Sequence, residues 1–483
     1  MKFLHTSQTL VKVLPLAAML ALGSCQNTLD VQPRQSISSA TALDTPEGID
    51  AALNGVYDRL QSTSLYGRDL IAIPEALGDN GRATNKSGRL NAEYLNQPGA
   101  HFTNWQVAYY AINQINLVLE ALPKITDQAT RDRFEGECAF LRALLYFDLM
   151  RAYAYDPGVE VAEYNRGGVP LLLKGVIEPS QIQFPSRAPI AEVYKQIYAD
   201  LTTATAKLNN ARGAFYANRA AALALFSRVA LYNKDFANAA KYATDAIAAT
   251  GVASFVPNSG YVAAWRASRH PESFFEITYQ TPENIGVNLS LQTTFTTLVE
   301  LGNRARTGGF GDLVPSASLL AAIESERSAA GQVLDVRRQL YELGTTGRGT
   351  AEIETTKFLG KNGQVNLDNI PVIRFSEMYL NRAEANFQLG QTEAALADVN
   401  IIRTRAGLPA ATALTGQALL DEILKQRRIE LAFEGHRWFD LKRRGVDIVK
   451  VPTNLPYNDF RVLAQIPVRE ITNNPNLRQN FGY

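Results

Sequence analysis

Cysteine, histidine and tryptophan are scarce in this chain, and neither charge is in excess. Two cysteines and four histidines in 483 residues leave nothing for a disulfide framework. His5, His101, His270 and His436 are dispersed, with no His-Glu-x-x-His and no Cys/His spacing that would hold zinc. Forty-eight basic against 47 acidic residues give a formal net charge of +1, so there is no global field to draw in nucleic acid or an anionic membrane. The Gly-rich stretch Thr307-Gly-Gly-Phe-Gly311 lacks the Lys-Ser/Thr of a phosphate loop. Apolar runs are short as well: Val13 to Leu22 contains Pro15 and falls well below the roughly 20 residues of a spanning helix. These absences exclude metal, nucleotide and nucleic-acid chemistry, and no catalytic constellation or cofactor is expected. With 46% hydrophobic residues, stability must come from a large packed core.

The first segment has its own logic. Lys2, His5 and Lys12 precede the apolar run, and Leu22-Gly-Ser-Cys25 succeeds it, with small residues where a signal peptidase cuts. This resembles a bacterial lipobox, in which residues 1–24 are an export signal and Cys25 is acylated as the new N-terminus. Acyl chains contribute about 0.8 kcal/mol per buried methylene, enough to tether a domain that has no membrane-embedded surface. A polar tether over 25–33 then leads to one domain over 34–483. The tripeptide before Cys25 departs from the commonest Leu-Ala-Gly form, and residues 26–30 carry only one acid, Asp30.

Helical periodicity dominates the domain beyond the tether. Ile112, Ile115, Leu119 and Leu122 fall on one face of a helix starting near Trp105, and Phe134, Cys138, Leu141, Leu145 and Leu149 on one face of a helix over Arg131 to Tyr155. Pro123 and Thr126 between them predict a helical hairpin. Ala230-Leu-Tyr-Asn-Lys-Asp-Phe-Ala-Asn-Ala-Ala240 aligns with Ala385-Asn-Phe-Gln-Leu-Gly-Gln-Thr-Glu-Ala-Ala395. Each reads as a helix end, a tight turn and a new helix, with alanines where helices approach closely and Phe236 or Phe387 beside them. These resemble tetratricopeptide-like repeats. The expected fold is mainly α: a helical-hairpin scaffold over about 34–250 and 370–445, with few short strands and loop-rich, ligand-facing insertions over about 251–369.

Near the C-terminus, Gln426 to Arg444 reads as one continuous helix with Glu430 and Glu434 a turn apart and Arg437 and Asp440 beyond them, pairing along one face. Trp438, Phe439 and Leu441 require that it be packed. Those residues predict a structural wedge fixed by Arg and carboxylate pairs. Carboxylates at such spacings are mostly paired or solvated, not the acid and base of a glycosidase.

Pro371-Val-Ile-Arg-Phe-Ser-Glu-Met-Tyr-Leu-Asn-Arg-Ala-Glu-Ala385, Asn400-Ile-Ile-Arg-Thr-Arg-Ala-Gly407, Arg428 to Arg443, Ile466-Pro467 and the closing Gln479-Asn-Phe-Gly-Tyr483, with Glu137 to Leu149 and Ala220 to Ala230 upstream, resemble in order the motifs of the SusD/RagB family. The resemblance implies an outer-membrane, lipid-anchored nutrient-binding protein, facing the cell exterior. It would bind oligosaccharide, or peptide in some branches, and deliver it to a SusC-like TonB-dependent transporter without cleaving it. A secreted glycoside hydrolase is the alternative from the enzyme class. Sugar recognition needs aromatic faces beside planar hydrogen-bonding groups. The loop Leu77 to Lys86 supplies Asp79, Asn80, Arg82 and Asn85, with Trp105 after it. Trp265, Tyr279, Arg304 and Phe310 are further ligand candidates, whereas Trp438 is assigned to structure.

Overall fold

The computed structural model describes residues 42–361 and 363–483. The expected signal peptide over 1–24, Cys25 and the expected tether over 25–33 lie outside the described residues. No helix among those described is long and apolar enough to cross a membrane.

The fold is mainly α, in hairpins. Helices α1 (Pro46–Leu60), α2 (Asp69–Leu77), α3 (Trp105–Ala121), α4 (Gln128–Tyr153), α5 (Ile190–Lys207), α6 (Arg219–Tyr232) and α7 (Phe236–Ala248) form the N-terminal part. Helices α8 (Phe375–Gln388), α9 (Thr392–Arg405), α10 (Gly416–Glu430) and α11 (Arg437–Arg443) complete the scaffold. Their starts are written in the sequence. Thr45 accepts from the Gly48 amide with Pro46 at the first helical position, Asp127 accepts from Thr130, and Asn218 from Ala221, so each satisfies an amide that has no intrahelical partner. Successive helices pack in the order α3 on α4, α4 on α5, α6 on α7, α7 on α8 and α8 on α9. The aligned alanines meet as the repeat predicts: Ala230, Ala239 and Ala385 share one buried cluster beside Phe236, where a larger side chain would hold the two hairpins apart. The stripe of α4 from Phe134 to Leu149, Cys138 included, is wholly buried.

Three two-stranded ladders organise the segment between α7 and α8: β1 (Gly81–Ala83) with β3 (Leu313–Pro315), β2 (Ser273–Ile277) with β6 (Ile370–Arg374), and β4 (Tyr341–Leu343) with β5 (Ile353–Thr355), all antiparallel. The second closes the base of the insertion and runs into α8, and the first stitches the insertion to the polar loop after α2.

The helix expected over 426–444 is instead two helices. α10 stops at Glu430, and Phe433 and Gly435 adopt positive φ values of 61° and 81° before α11 begins. A Cβ on Gly435 would stand 2.2 Å from the Leu70 carbonyl oxygen of α2, so the chain must turn here without a side chain. Phe433 tolerates its left-handed backbone because its ring is buried edge-on against Phe295, at 5.1 Å. Gly435→Ala is expected to lose at least about 2 kcal/mol, from left-handed strain plus the clash; thermal unfolding of the variant measures it.

The wedge is fixed by charge, chiefly across the fold, with Asp440 and Arg443 also paired along one face of α11. Glu430 pairs with Arg405 at 2.6 Å, Arg374 at 3.2 Å and Arg337 at 3.4 Å. Glu434 pairs with Lys357 and Arg374, both at 2.6 Å. Arg437 reaches Asp79 at 2.9 Å, and Asp440 accepts from Arg427 at 2.8 Å and Arg443 at 2.9 Å. Burial alone would raise the carboxyls of Glu430 and Asp440, yet their neighbouring guanidiniums outweigh it: Glu430 is held well below the usual carboxylate range and Asp440 below it. Trp438 is fully buried, edge-on to His101 at 5.3 Å.

Candidate functional site

The sequence candidates separate into interior and surface groups. Asp79 and Asn80, from the polar loop, are turned inward. Asp79 takes Arg437, and Asn80 donates to Glu75 at 2.9 Å while accepting from Arg428 at 2.8 Å. They bind the loop to α10 and α11 and leave no polar group for a ligand. Trp105 is buried edge-on to Tyr153 at 4.9 Å, one wall of a cleft of about 490 Å³ shared with Tyr109, Leu172, Phe184 and Leu477. Tyr279 is buried, its hydroxyl donating to the Gln61 carbonyl at 3.0 Å. Trp265 is buried as well, with the Lys357 ammonium 4.7 Å from its ring and His270 edge-on at 4.7 Å. Tyr279 and Trp265 are closed over by neighbouring side chains and backbone, and Trp105 shows only 3% of its surface beside its cleft.

Beside Trp265 lies a small cavity of about 20 Å³ that Glu276 and Asp368 also line. Burial pushes the Glu276 carboxyl up to about 7 and that of Asp368 to about 6. A raised carboxyl adds no penalty below its unfolded value of 4.5 and a growing one as pH rises toward 7. Glu276→Gln keeps the acceptor for Ser273 and the His270 amide. It is expected to stabilise the protein by about 2–3 kcal/mol above pH 7, with the gain vanishing toward pH 4.5. Urea unfolding at several pH values tests this.

The surface group converges. The β1–β3 ladder sets Arg82 opposite Val314, which brings the loop after β1 against the segment 304–312. Thr84 Oγ1 donates to the Gly311 carbonyl at 2.7 Å and the Thr84 amide to Asp312 at 2.9 Å. Phe310 is half-buried at the base of this face. Over its ring lie the guanidiniums of Arg89 and Arg348, each 4.2 Å from the centroid, where the ring quadrupole attracts a cation. Arg304 and Asn85 sit on the same loops, Arg304 exposed, and Arg82 pairs with Glu352 at 2.8 Å.

Glu354, on β5, anchors this face from below. It is fully buried and accepts from the Thr297 amide at 2.6 Å, the Thr297 hydroxyl at 2.8 Å and the Thr296 hydroxyl at 2.9 Å, with Lys86 at 3.4 Å. Gly344 comes so close that a Cβ there would stand 2.3 Å from the carboxylate. One side chain thus holds the loops around 86, 297 and 344 together. Asp312 is a second anchor, accepting from Ser87 at 2.5 Å and pairing with Arg89 at 3.3 Å. Burial raises its carboxyl, opposed by the Ser87 hydrogen bond and the charge of Arg89. The sequence reading missed Arg89, Arg348, Asp312 and Glu354. The available signal was Gly344-Thr-Thr-Gly-Arg-Gly349, an arginine in a glycine-flanked turn between two three-residue strands.

A tetratricopeptide-like helical scaffold carrying a loop-built, arginine-rich face is the class that this fold and site define. Residues 27–231 match a family model described as starch-binding associating with outer membrane, and residues 345–483 match that of the SusD family. A SusD-like protein of Formosa agariphila is 25% identical over the whole of both chains. The starch-binding protein SusD of Bacteroides thetaiotaomicron is 36% identical over 129 residues, 24% of this chain and 22% of that one. The crystal structure of a putative sugar binding protein from Bacteroides vulgatus superposes with a TM-score of 0.78 at 27% identity, covering 90% of this chain and 98% of that one. A SusD superfamily protein from Bacteroides thetaiotaomicron does so with a TM-score of 0.78 at 26% identity, covering 90% and 99%. The chain belongs to the SusD/RagB family, whose members are binding proteins associated with the outer membrane.

Proposed function

We propose that this protein is a lipid-anchored outer-membrane lipoprotein that captures an oligosaccharide on the face around Phe310 and passes it to a SusC-like TonB-dependent transporter. The observation that carries the reading is that face itself: an aromatic ring covered by guanidiniums and edged by planar side chains, on loops pinned by a buried carboxylate. Arg82, Asn85, Arg304 and Phe310, joined by Arg89 and Arg348, are the ligand-facing set. Preorganised loops lower the ordering cost of binding, and a rigid helical scaffold suits a protein that must present its ligand to a second protein. The Cys25 lipobox supports the anchor, and the starch-binding and sugar-binding relatives support a saccharide over a peptide. Glu354 and Asp312, the buried acids of this face, are engaged by Lys86, Thr297, Ser87 and Arg89, which favours capture over hydrolysis.

Calorimetric titration of the purified protein with oligosaccharide and peptide panels, and co-purification from membranes, test the reading. Saccharide binding abolished by Phe310→Ala, together with a co-purifying β-barrel transporter, is expected. Cys25→Ala should release the protein into the soluble fraction and end palmitate incorporation. Binding of peptides alone, or release of new reducing ends from a polysaccharide, would overturn it.

A further inference from the structure

We propose that the ligand is an acidic oligosaccharide, bearing carboxylate or sulfate groups, and that Arg304, Arg306 and Arg348 select it. The inference rests on the face around Phe310 being the nutrient site.

The reason is three guanidiniums without an ion-pair partner, gathered on one face of a chain that is otherwise balanced to one charge. Three of the acids here are consumed: Glu352 by Arg82, Glu354 by Lys86 and Asp312 by Arg89. The two others, Glu300 and Glu342, hold the turn at 300–303 by accepting from Asn303 and from the Gly302 amide. Among the described residues, Arg304, Arg306 and Arg348 form no ion pair, although all three are exposed. They belong to one place, because the hydroxyls of Thr307 and Thr345 are hydrogen-bonded at 2.6 Å and join the two loops that carry them.

The chemistry is specific for an anion. Guanidinium presents a planar fork that matches the paired oxygens of carboxylate or sulfate, which a hydrated ammonium does not. Arg348 rests its face on Phe310, so its donor edge is ordered before any ligand arrives. The same contact, with Arg89 also over the ring, occupies the surface on which a neutral sugar would stack its C–H face. A neutral glycan would have to displace the arginines, whereas an anionic one uses them as they stand.

The test is calorimetric titration of the purified protein with size-matched neutral, uronate-containing and sulfated oligosaccharides at low and high salt. Binding of acidic oligomers with neutral ones excluded, and a loss of affinity on raising the salt, is expected. Arg304→Ser and Arg306→Ser should each weaken binding by about tenfold or more, with unfolding unchanged because neither side chain is buried. Arg348→Lys, which keeps the charge and loses the fork, should restore only part of what Arg348→Ser removes. The uronate and sulfate arms identify which anion is read, and binding in either supports the proposal. Neutral oligomers bound as tightly as acidic ones, or unaltered binding in the serine variants, overturn it while leaving the nutrient site standing. If no saccharide of any class binds, or if acidic peptides alone do, the site reading falls and this inference falls with it.

Discussion

Arg374→Met should cost about 3–5 kcal/mol of folding stability, the range found when one member of a buried ion cluster is removed. Arg374 sits among eight buried charges that balance four against four: Arg337, Lys357, Arg374 and Arg405 against Glu272, Asp335, Glu430 and Glu434. Methionine fills much of the volume, so the loss is electrostatic. Glu272, Glu430 and Glu434 would keep their other partners, but one negative charge would be left over where water cannot reach it. Against a typical total of about 5–15 kcal/mol, that is a large fraction. The deficit has a pH signature. In the native cluster Glu430 is held well below the usual carboxylate range despite its burial, so its contribution is complete above the unfolded value of 4.5 and is lost as pH falls further. In the variant, one carboxyl can take up a proton and cancel the surplus. The two stability curves should therefore converge toward acid pH. A urea-midpoint difference that is small at neutral pH, or the same at every pH, would refute the electrostatic account.

That cluster also marks the boundary between what a linear reading can and cannot reach. The stripe from Phe134 to Leu149 and the alanines at 230, 239 and 385 were legible because each depends on neighbours a few residues away, where helical spacing dictates which side chains share a face. The break after Glu430 was not. Acid and base spacing continues smoothly to Arg444, and only the approach of Leu70 to Gly435 forces the turn. Pairing partners were likewise invisible. Asp79 reads as a polar loop residue whether it faces solvent or Arg437, 358 positions away. Among aromatics in irregular segments, composition cannot distinguish Trp265, sealed beneath a cationic lid in the interior, from Phe310, covered only by the arginines of two surface loops. The ladders that decide between them have three to five residues per strand, too short for alternation to announce. The loops that carry Arg82, Asn85, Arg304 and Phe310 were therefore singled out by sequence, but their anchor was not: Glu354 carries no local mark of being buried.

Glu354 yields the second large effect, on binding as much as on stability. Glu354→Ala would strip the acceptor from the Thr297 amide and both threonine hydroxyls and leave the nearly buried Lys86 ammonium without its counter-charge. Orphaned buried donors cost about 1–3 kcal/mol each. Relaxation of the loops would recover part of that, so a net loss of about 2–4 kcal/mol is expected. The loops can relax only by separating, and this dismantles the face: Arg348 moves with the turn behind Gly344, while Phe310 moves with the segment packed on Thr293 and Thr297. Ligand affinity should fall by at least about tenfold although Glu354 is too deep to touch a ligand, since misplaced contacts forfeit preorganisation. Glu354→Gln separates the two roles. The amide oxygen can still accept from Thr297, so the loops should hold and most affinity survive, while the unpaired Lys86 keeps a stability penalty. If the alanine variant binds as tightly as the parent, the loops do not need this pin and the face is not the binding site. If alanine and glutamine variants weaken binding equally, the carboxylate acts through charge and not as the acceptor that knits the loops together.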